Sequence, residues 1–185
     1  MSENEVTLTK ISTLSDWLRV YHLYRRAFPK YERKPFFMIL RTRARGNADV
    51  WVIGKGRSFA GLAITMQNGE LVLLDYFAVS EAQRGTGIGG EALRLLRQAY
   101  RGKRLFLEIE STQTEAENLP ERLRRKQFYL RNGLTEMHTL VELFGVEMEL
   151  LGFDCSVTFA EYSELYSRVI GAWTLPHVRK AGNGE

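Results

Sequence analysis

The chain is poor in cysteine, has no long apolar run and has no strong excess of charge of either sign. Cys155 is the single thiol among 185 residues. That excludes an internal disulfide and a cysteine-based zinc cluster, and it fits a reducing compartment. No stretch approaches the apolar length of a membrane span, and the opening residues MSENEVTLTK carry neither an apolar core nor a cleavage-like pattern. A cytoplasmic protein with no membrane partner is expected. Lys and Arg number 26 against 22 Asp and Glu, a net +4. So mild an excess does not point to nucleic acid, and no nucleic-acid partner is expected. His22, His138 and His177 are scattered without ligand-like spacing, so no metal site is expected.

What is present suits one domain of ordinary size, because 44% hydrophobic residues can fill a core at this length. The expectation is a single domain over 1–185, with its core at about 5–152, a C-terminal helix at about 158–170 and a loose tail at 178–185. EVTLTKI alternates like a strand. The next segment places Leu14, Trp17, Val20, Tyr21, Tyr24 and Phe28 near one helical stripe. Pro29 stops that helix, and KPFFMILRTRARG reads as a second, with Pro35 in its first turn and Gly46 at its end. VWVIGKG and RSFAGLAITMQNGELVLLDYFAV follow as three strands, the last two joined by Asn68-Gly69, whose tolerance of positive φ suits a tight hairpin. A glycine-rich turn, a helix and the apolar strand RLFLEIE come next. That crossover makes the strands near 72–79 and 104–110 parallel neighbours. A helix over Leu119–Asn132 has Asn118 and Glu121 at capping-box spacing and ends at Gly133. Two further strand-like stretches, MHTLVEL and VEMELL, lead to a last helix announced by Thr158 and Glu161.

The turn Arg84-Gly85-Thr86-Gly87-Ile88-Gly89-Gly90 lies between a strand and a helix. Glycines let the amides turn outward with no Cβ in the way, and the helix adds the partial positive charge of its amino end. A phosphate is the natural guest, and Arg84 adds a full charge. The phosphate-loop signature is excluded because Gly89 is followed by Gly90 and Glu91 instead of Lys and Ser or Thr. The dinucleotide fingerprint belongs on the first strand of a βαβ unit, whereas antiparallel strands precede this turn.

Phe77-Ala78-Val79 followed by Gln83-Arg84-Gly85-Thr86-Gly87-Ile88-Gly89 resembles the acetyl-CoA motif of the GNAT superfamily of N-acetyltransferases. Phe128-Tyr129-Leu130-Arg131-Asn132-Gly133-Leu134 resembles the end of that family's fourth helix. The resemblance implies an α/β fold. Its central sheet would be mixed and mostly antiparallel, with six to seven strands, flanking helices and a V-shaped splay between the fourth and fifth strands. It implies acetyl-CoA as co-substrate, pantetheine against the backbone of Phe77, Ala78 and Val79, and pyrophosphate on the amides from Arg84 to Gly90. Tyr129 would serve as general acid toward the departing thiolate. No metal is implied.

Asp75 is the first candidate for the base, with Glu108 or Glu110, through a relaying water, as the other. Asp75 shares a strand face with Phe77 and Val79, and Glu108 and Glu110 share a face of the next strand. The alternative is that all three pair with nearby arginines. The family's usual asparagine seven positions before the tyrosine is Arg122 here; Arg122 or Arg125 would reach a CoA phosphate or face solvent. Tyr31, Glu32, Arg33, Phe36 and Phe37 are candidate acceptor contacts. The resemblance thus implies acetyl transfer to a primary amine of a small molecule or an amino terminus, by a monomer or homodimer. A CoA-binding module without efficient catalysis is the alternative, and an acceptor carried on aminoacyl-RNA is a third.

Overall fold

The computed structural model describes residues 5–181. The described chain forms two compact units. The first runs to Met66 and resumes over Leu74–Arg101; the second comprises Gln67–Leu73 and the chain from Gly102 onward.

In the first unit, β1 (Val6–Lys10) pairs antiparallel with β2 (Ala48–Lys55), and β2 pairs antiparallel with β3 (Ser58–Asn68). The helix α1 (Leu14–Ala27) starts where the Thr13 hydroxyl accepts from the Asp16 amide, and Arg25 and Arg26 sit in its last turn. Both ends therefore complement the helix dipole. α2 (Phe36–Ala44) follows Pro35. Val20 and Tyr24 of α1 and Ile39 of α2 bury against Val50, Val52, Leu62 and Ile64 of β2 and β3. Gly69 at φ +60° turns the chain from β3 into β4 (Leu71–Val79). α3 (Ile88–Ala99) buries Ile88, Ala92, Leu93 and Leu96, the single stripe an amphipathic helix offers.

The second unit contains the parallel pair. Leu71, Val72 and Leu73 of β4 register with Arg104, Leu105 and Phe106 of β5 (Arg104–Glu110). β5 pairs antiparallel with β7 (Val146–Gly152), which pairs antiparallel with β6 (Thr135–Leu143). α4 (Leu119–Arg131) precedes β6, and α5 (Phe159–Val169) follows β7. With a last strand β8 (Val178–Lys180), the order of strands is β1-β2-β3-β4-β5-β7-β6-β8, mostly antiparallel, as expected.

Several expectations need correction. There are eight strands among the described residues, not six or seven. The eighth, β8 (Val178–Lys180), pairs with Val141–Leu143 of β6 and lies where a loose tail was expected. Residues 182–185 of that tail fall outside the described residues. Asn118 makes no capping box with Glu121, because its side chain is committed to Glu110 and Arg122. The box at Thr158 and Glu161 does form, with both reciprocal hydrogen bonds.

Candidate functional site

At the end of β4 the side chains alternate as a strand requires. Phe77 and Val79 pack with Ile53, Ala60, Ile88 and Ala92, and Ala78 packs with Tyr76 among the residues that cover α1. One 3-10 turn, Glu81–Gln83, leads to Arg84 and the glycines. Gly85 and Gly87 have φ of +75° and +82°. A Cβ at either would meet nothing within 4 Å, so glycine is required there by backbone conformation and not by crowding. Gly87 caps α3 with no side-chain hydrogen bond. The Thr86 hydroxyl donates backward to the Gln83 carbonyl at 2.8 Å, and Arg84 Nε donates to the Val79 carbonyl at 3.3 Å. The first amides of α3 therefore have no side-chain cap, and Gly89 and Gly90 lie half-buried inside that first turn. Buried Ile88 anchors the helix start, while Arg84 to Gly87 stay exposed.

Asp75 does not pair with an arginine. Its side chain is 4% exposed, and Oδ1 accepts from Lys34 Nζ at 2.6 Å. The same ammonium lies 5.2 Å from the Tyr76 ring centroid. The backbone around Lys34 is pinned as well. The Lys34 amide donates to the Tyr76 hydroxyl, which donates to the Glu32 carbonyl, and the Tyr24 hydroxyl donates to the Lys34 carbonyl, each at 2.9 Å. Tyr24 and Tyr76 meet edge to face at 4.8 Å. Burial pushes the Tyr24 phenol well above its usual range, so it stays a donor. The connection between α1 and α2 is thus held by two buried tyrosines and an ion pair. Of the expected acceptor contacts, Tyr31 and Phe37 are 79% and 65% exposed, and Phe36 packs into the aromatic cluster.

In the second unit, α4 presents a polar stripe to the sheet. Asn118, Arg122 and Lys126 recur every four residues and so share one face. Arg122 donates to Asn118 Oδ1 at 2.8 Å, to the Ser111 carbonyl at 3.0 Å and to Glu110 Oε1 at 3.1 Å. It therefore neither faces solvent nor is free to reach out. Arg125 lies 4.0 Å from Glu110 Oε2. Lys126 Nζ bonds Glu149 Oε2 at 2.5 Å and lies 2.9 Å from Glu136. Burial works against the charged Glu149, yet Lys126 and the Thr112 amide and hydroxyl hold its carboxyl below the usual range. Glu108 is gripped by α5: the hydroxyls of Tyr162 and Tyr166 donate to its two oxygens at 2.5 and 2.6 Å.

Tyr129 stands apart from these pairs. It is 8% exposed on the last turn of α4, and among the described residues its hydroxyl makes no hydrogen bond. Burial raises its phenol to about 12, opposed weakly by the Arg125 charge. Among the described residues the fully buried polar side-chain atoms without a partner are Arg33 Nε and Arg104 Nε, so the Tyr129 hydroxyl keeps access to the surface, where it can bond something outside the chain.

The partners that sequence reasoning missed are Lys34, Tyr162 and Tyr166. Only the last two left a signal, a spacing of four on a helix. Asp75 and the glycine turn lie in the first unit, and Glu108, Glu110 and Tyr129 in the second.

A strand, a glycine turn at positive φ and an uncapped helix, on an α/β sheet with one parallel pair, define an acyltransferase of the GNAT type. The family model for the acetyltransferase (GNAT) family matches residues 17–124, and the chain belongs to that family. A GNAT-family acetyltransferase from Bacteroides thetaiotaomicron is similar over 89% of this chain and 98% of its own, with 21% identity and a TM-score of 0.75. The ribosomal-protein-S18-alanine N-acetyltransferase of Escherichia coli is similar over 83% and 96%, at 19% identity and a TM-score of 0.61. A GNAT acetyltransferase from Elizabethkingia anophelis, solved with acetyl-CoA bound, is similar over 81% and 98%, at 14% identity and a TM-score of 0.54. No curated protein matches the chain.

Proposed function

We propose that the protein is a cytoplasmic, acetyl-CoA-dependent N-acetyltransferase, its two units acting as one domain on a primary amine of a small molecule or an amino terminus. The observation that carries this reading is Tyr129, a largely buried, neutral phenol whose hydroxyl makes no hydrogen bond among the described residues, in a chain of the GNAT family. In the proposed reaction the amine nitrogen attacks the thioester carbonyl and gives its proton to a carboxylate base, the C–N bond forms, the C–S bond breaks, and the thiolate takes the Tyr129 proton. The backbone of Phe77 to Val79 orients the thioester, and the amides of Arg84 to Gly90 hold the pyrophosphate at the uncapped start of α3. Holding both reactants together supplies much of the acceleration.

We assign the base to Asp75 before Glu110. Asp75 lies on the strand proposed to orient the thioester, and the cation it pairs with is a lysine on a long, flexible stem. Glu110 faces Arg122, Arg125 and the Asn118 amide together. The test is an acetyl-CoA turnover assay with a panel of amines and amino-terminal peptides, run beside calorimetric titration of acetyl-CoA. Turnover that Tyr129→Phe loses while still binding acetyl-CoA is the expected outcome. A folded protein that binds acetyl-CoA but turns over no amine would mean a binding module, and one that binds none would sink the reading altogether.

A further inference from the structure

The charge of this chain is unevenly placed. Residues 14–46, which make up α1, α2 and their connection, hold nine Lys and Arg against two Asp and Glu, which leaves seventeen against twenty for all the rest. The same segment holds five of the large hydrophobic side chains that the fold leaves exposed. Four of them belong to the two helices: Leu14 is 77% exposed, Leu18 55%, Phe37 65% and Leu40 43%.

Three of them, Leu14, Leu18 and Leu40, follow the line along which the helices meet. Phe36 contacts Trp17 at 6.0 Å and Tyr21 at 5.0 Å, and the Arg43 guanidinium lies 5.4 Å from the Trp17 ring. Leu40 falls between Phe36 and Arg43 on that side of α2, at spacings of four and three. On α1, Leu14 and Leu18 lie one turn before Trp17 and Tyr21 in the same row. The result is an apolar seam between two adjacent helices. Exposed Arg25 and Arg43 flank it, 5.7 Å from the Tyr21 ring and 5.4 Å from the Trp17 ring.

We propose that this seam docks an acidic amphipathic helix of a partner protein, with apolar anchors in the seam and carboxylates on the arginines. Charge decides among occupants. A second copy presenting this same face would bring arginines against arginines. A nucleic-acid strand would satisfy the arginines but leave Leu14 and Leu18 in water, since leucine offers no stacking face and no hydrogen bond. An acidic helix satisfies both features at once. The inference does not depend on the acetyl-transfer reading, because neither the glycine turn nor Tyr129 takes part.

The experiment is fluorescence anisotropy of the whole protein with a panel of fluorescein-labelled peptides carrying leucine at i, i+3, i+4 and i+7 and glutamate elsewhere. A scrambled peptide of equal charge serves as control. Saturable binding is expected that is lost with the scrambled peptide. The Leu14→Ser/Leu18→Ser pair and the Arg25→Ala/Arg43→Ala pair should each weaken it about tenfold or more, the 1.4 kcal/mol step of any tenfold change. Leu123→Ser, an exposed leucine of α4, should not. Circular dichroism keeps misfolded variants out of the comparison. Binding that ignores both seam variants, or no binding by any peptide, overturns the proposal. So does arginine-dependent binding of a single-stranded RNA oligomer or of phosphatidylserine vesicles in place of the peptides, or gel filtration showing a dimer that the leucine pair dissolves.

Discussion

Lys34 Nζ lies 2.6 Å from Asp75 Oδ1, and that contact joins the connection between α1 and α2 to the strand β4. Both side chains are largely buried, so the pair is held by more than surface attraction. Losing either partner strands the other charge away from water.

Lys34→Met should therefore destabilise the fold by about 3–5 kcal/mol, read from urea denaturation. Lys34→Met/Asp75→Leu should recover most of that loss, because no unpaired charge remains. A single variant no worse than the double would mean that Asp75 finds another cation.

Tyr129→Phe should lower kcat by about 10²–10⁴, the range of a positioned general acid, with acetyl-CoA affinity preserved. The pH dependence has a definite sign. Burial raises the phenol to about 12, so the acid form persists throughout the neutral and mildly alkaline range. Stability that Tyr129 contributes is complete below pH 10 and is lost as pH rises toward 12. An alkaline limb in the rate that falls well below pH 12 and vanishes in Tyr129→Phe would contradict this assignment.

Much of the fold could be read from residue pattern. The hairpin at Gly69, the crossover into β5 and the capping box at Thr158 all rest on short-range chemistry, and such signals survive without knowledge of the partner. The side-chain pairs showed only as an open alternative, arginines for Asp75, Glu108 and Glu110 alike, which holds for Glu110 while Asp75 takes Lys34 and Glu108 takes two tyrosines. Arg122 and Arg125 look like solvent-facing charges on a helix with few apolar residues, yet Arg122 is 14% exposed against Glu110. Only the register that places Glu110 opposite α4 shows where Arg122 goes, and register is a long-range fact. The eighth strand was missed for the same reason: three residues in a polar tail become a strand because Val141–Leu143 lies beside them.

Gly87→Ala should leave core packing unchanged, since its Cβ meets open space, but the positive φ costs roughly 1–2 kcal/mol. Joined to Arg84→Ala, it should weaken acetyl-CoA binding in calorimetry far more than it lowers the melting temperature. Equal affinity for wild type and variant would remove the glycine turn as the pyrophosphate site.

Acid should loosen α5. The hydrogen bond from Arg104, with help from the Thr158 amide and hydroxyl, lowers Glu161 from 4.5 to about 2. A lowered carboxyl stabilises the fold above its ordinary value, and that contribution disappears as pH falls from about 4.5 toward 2. Glu161→Gln should flatten the acid limb of a thermal-melt series over that window. Thr158→Ala should cost about 1 kcal/mol near neutral pH. An unchanged acid limb in Glu161→Gln would place the sensitivity elsewhere.

Gly61 lies in mid-strand, where its neighbours would tolerate almost any β-former, yet a Cβ there would come 2.4 Å from the Ala78 carbonyl oxygen and 3.2 Å from Val79 Cα. The two backbones meet nearly in contact. In a saturation-mutagenesis library scored separately for abundance and for ligand occupancy, position 61 should behave like the segment proposed above to orient the thioester, seventeen residues downstream. Alanine could not fit without displacing the Ala78 carbonyl or its own strand, because real Cβ atoms do not approach a backbone oxygen that closely.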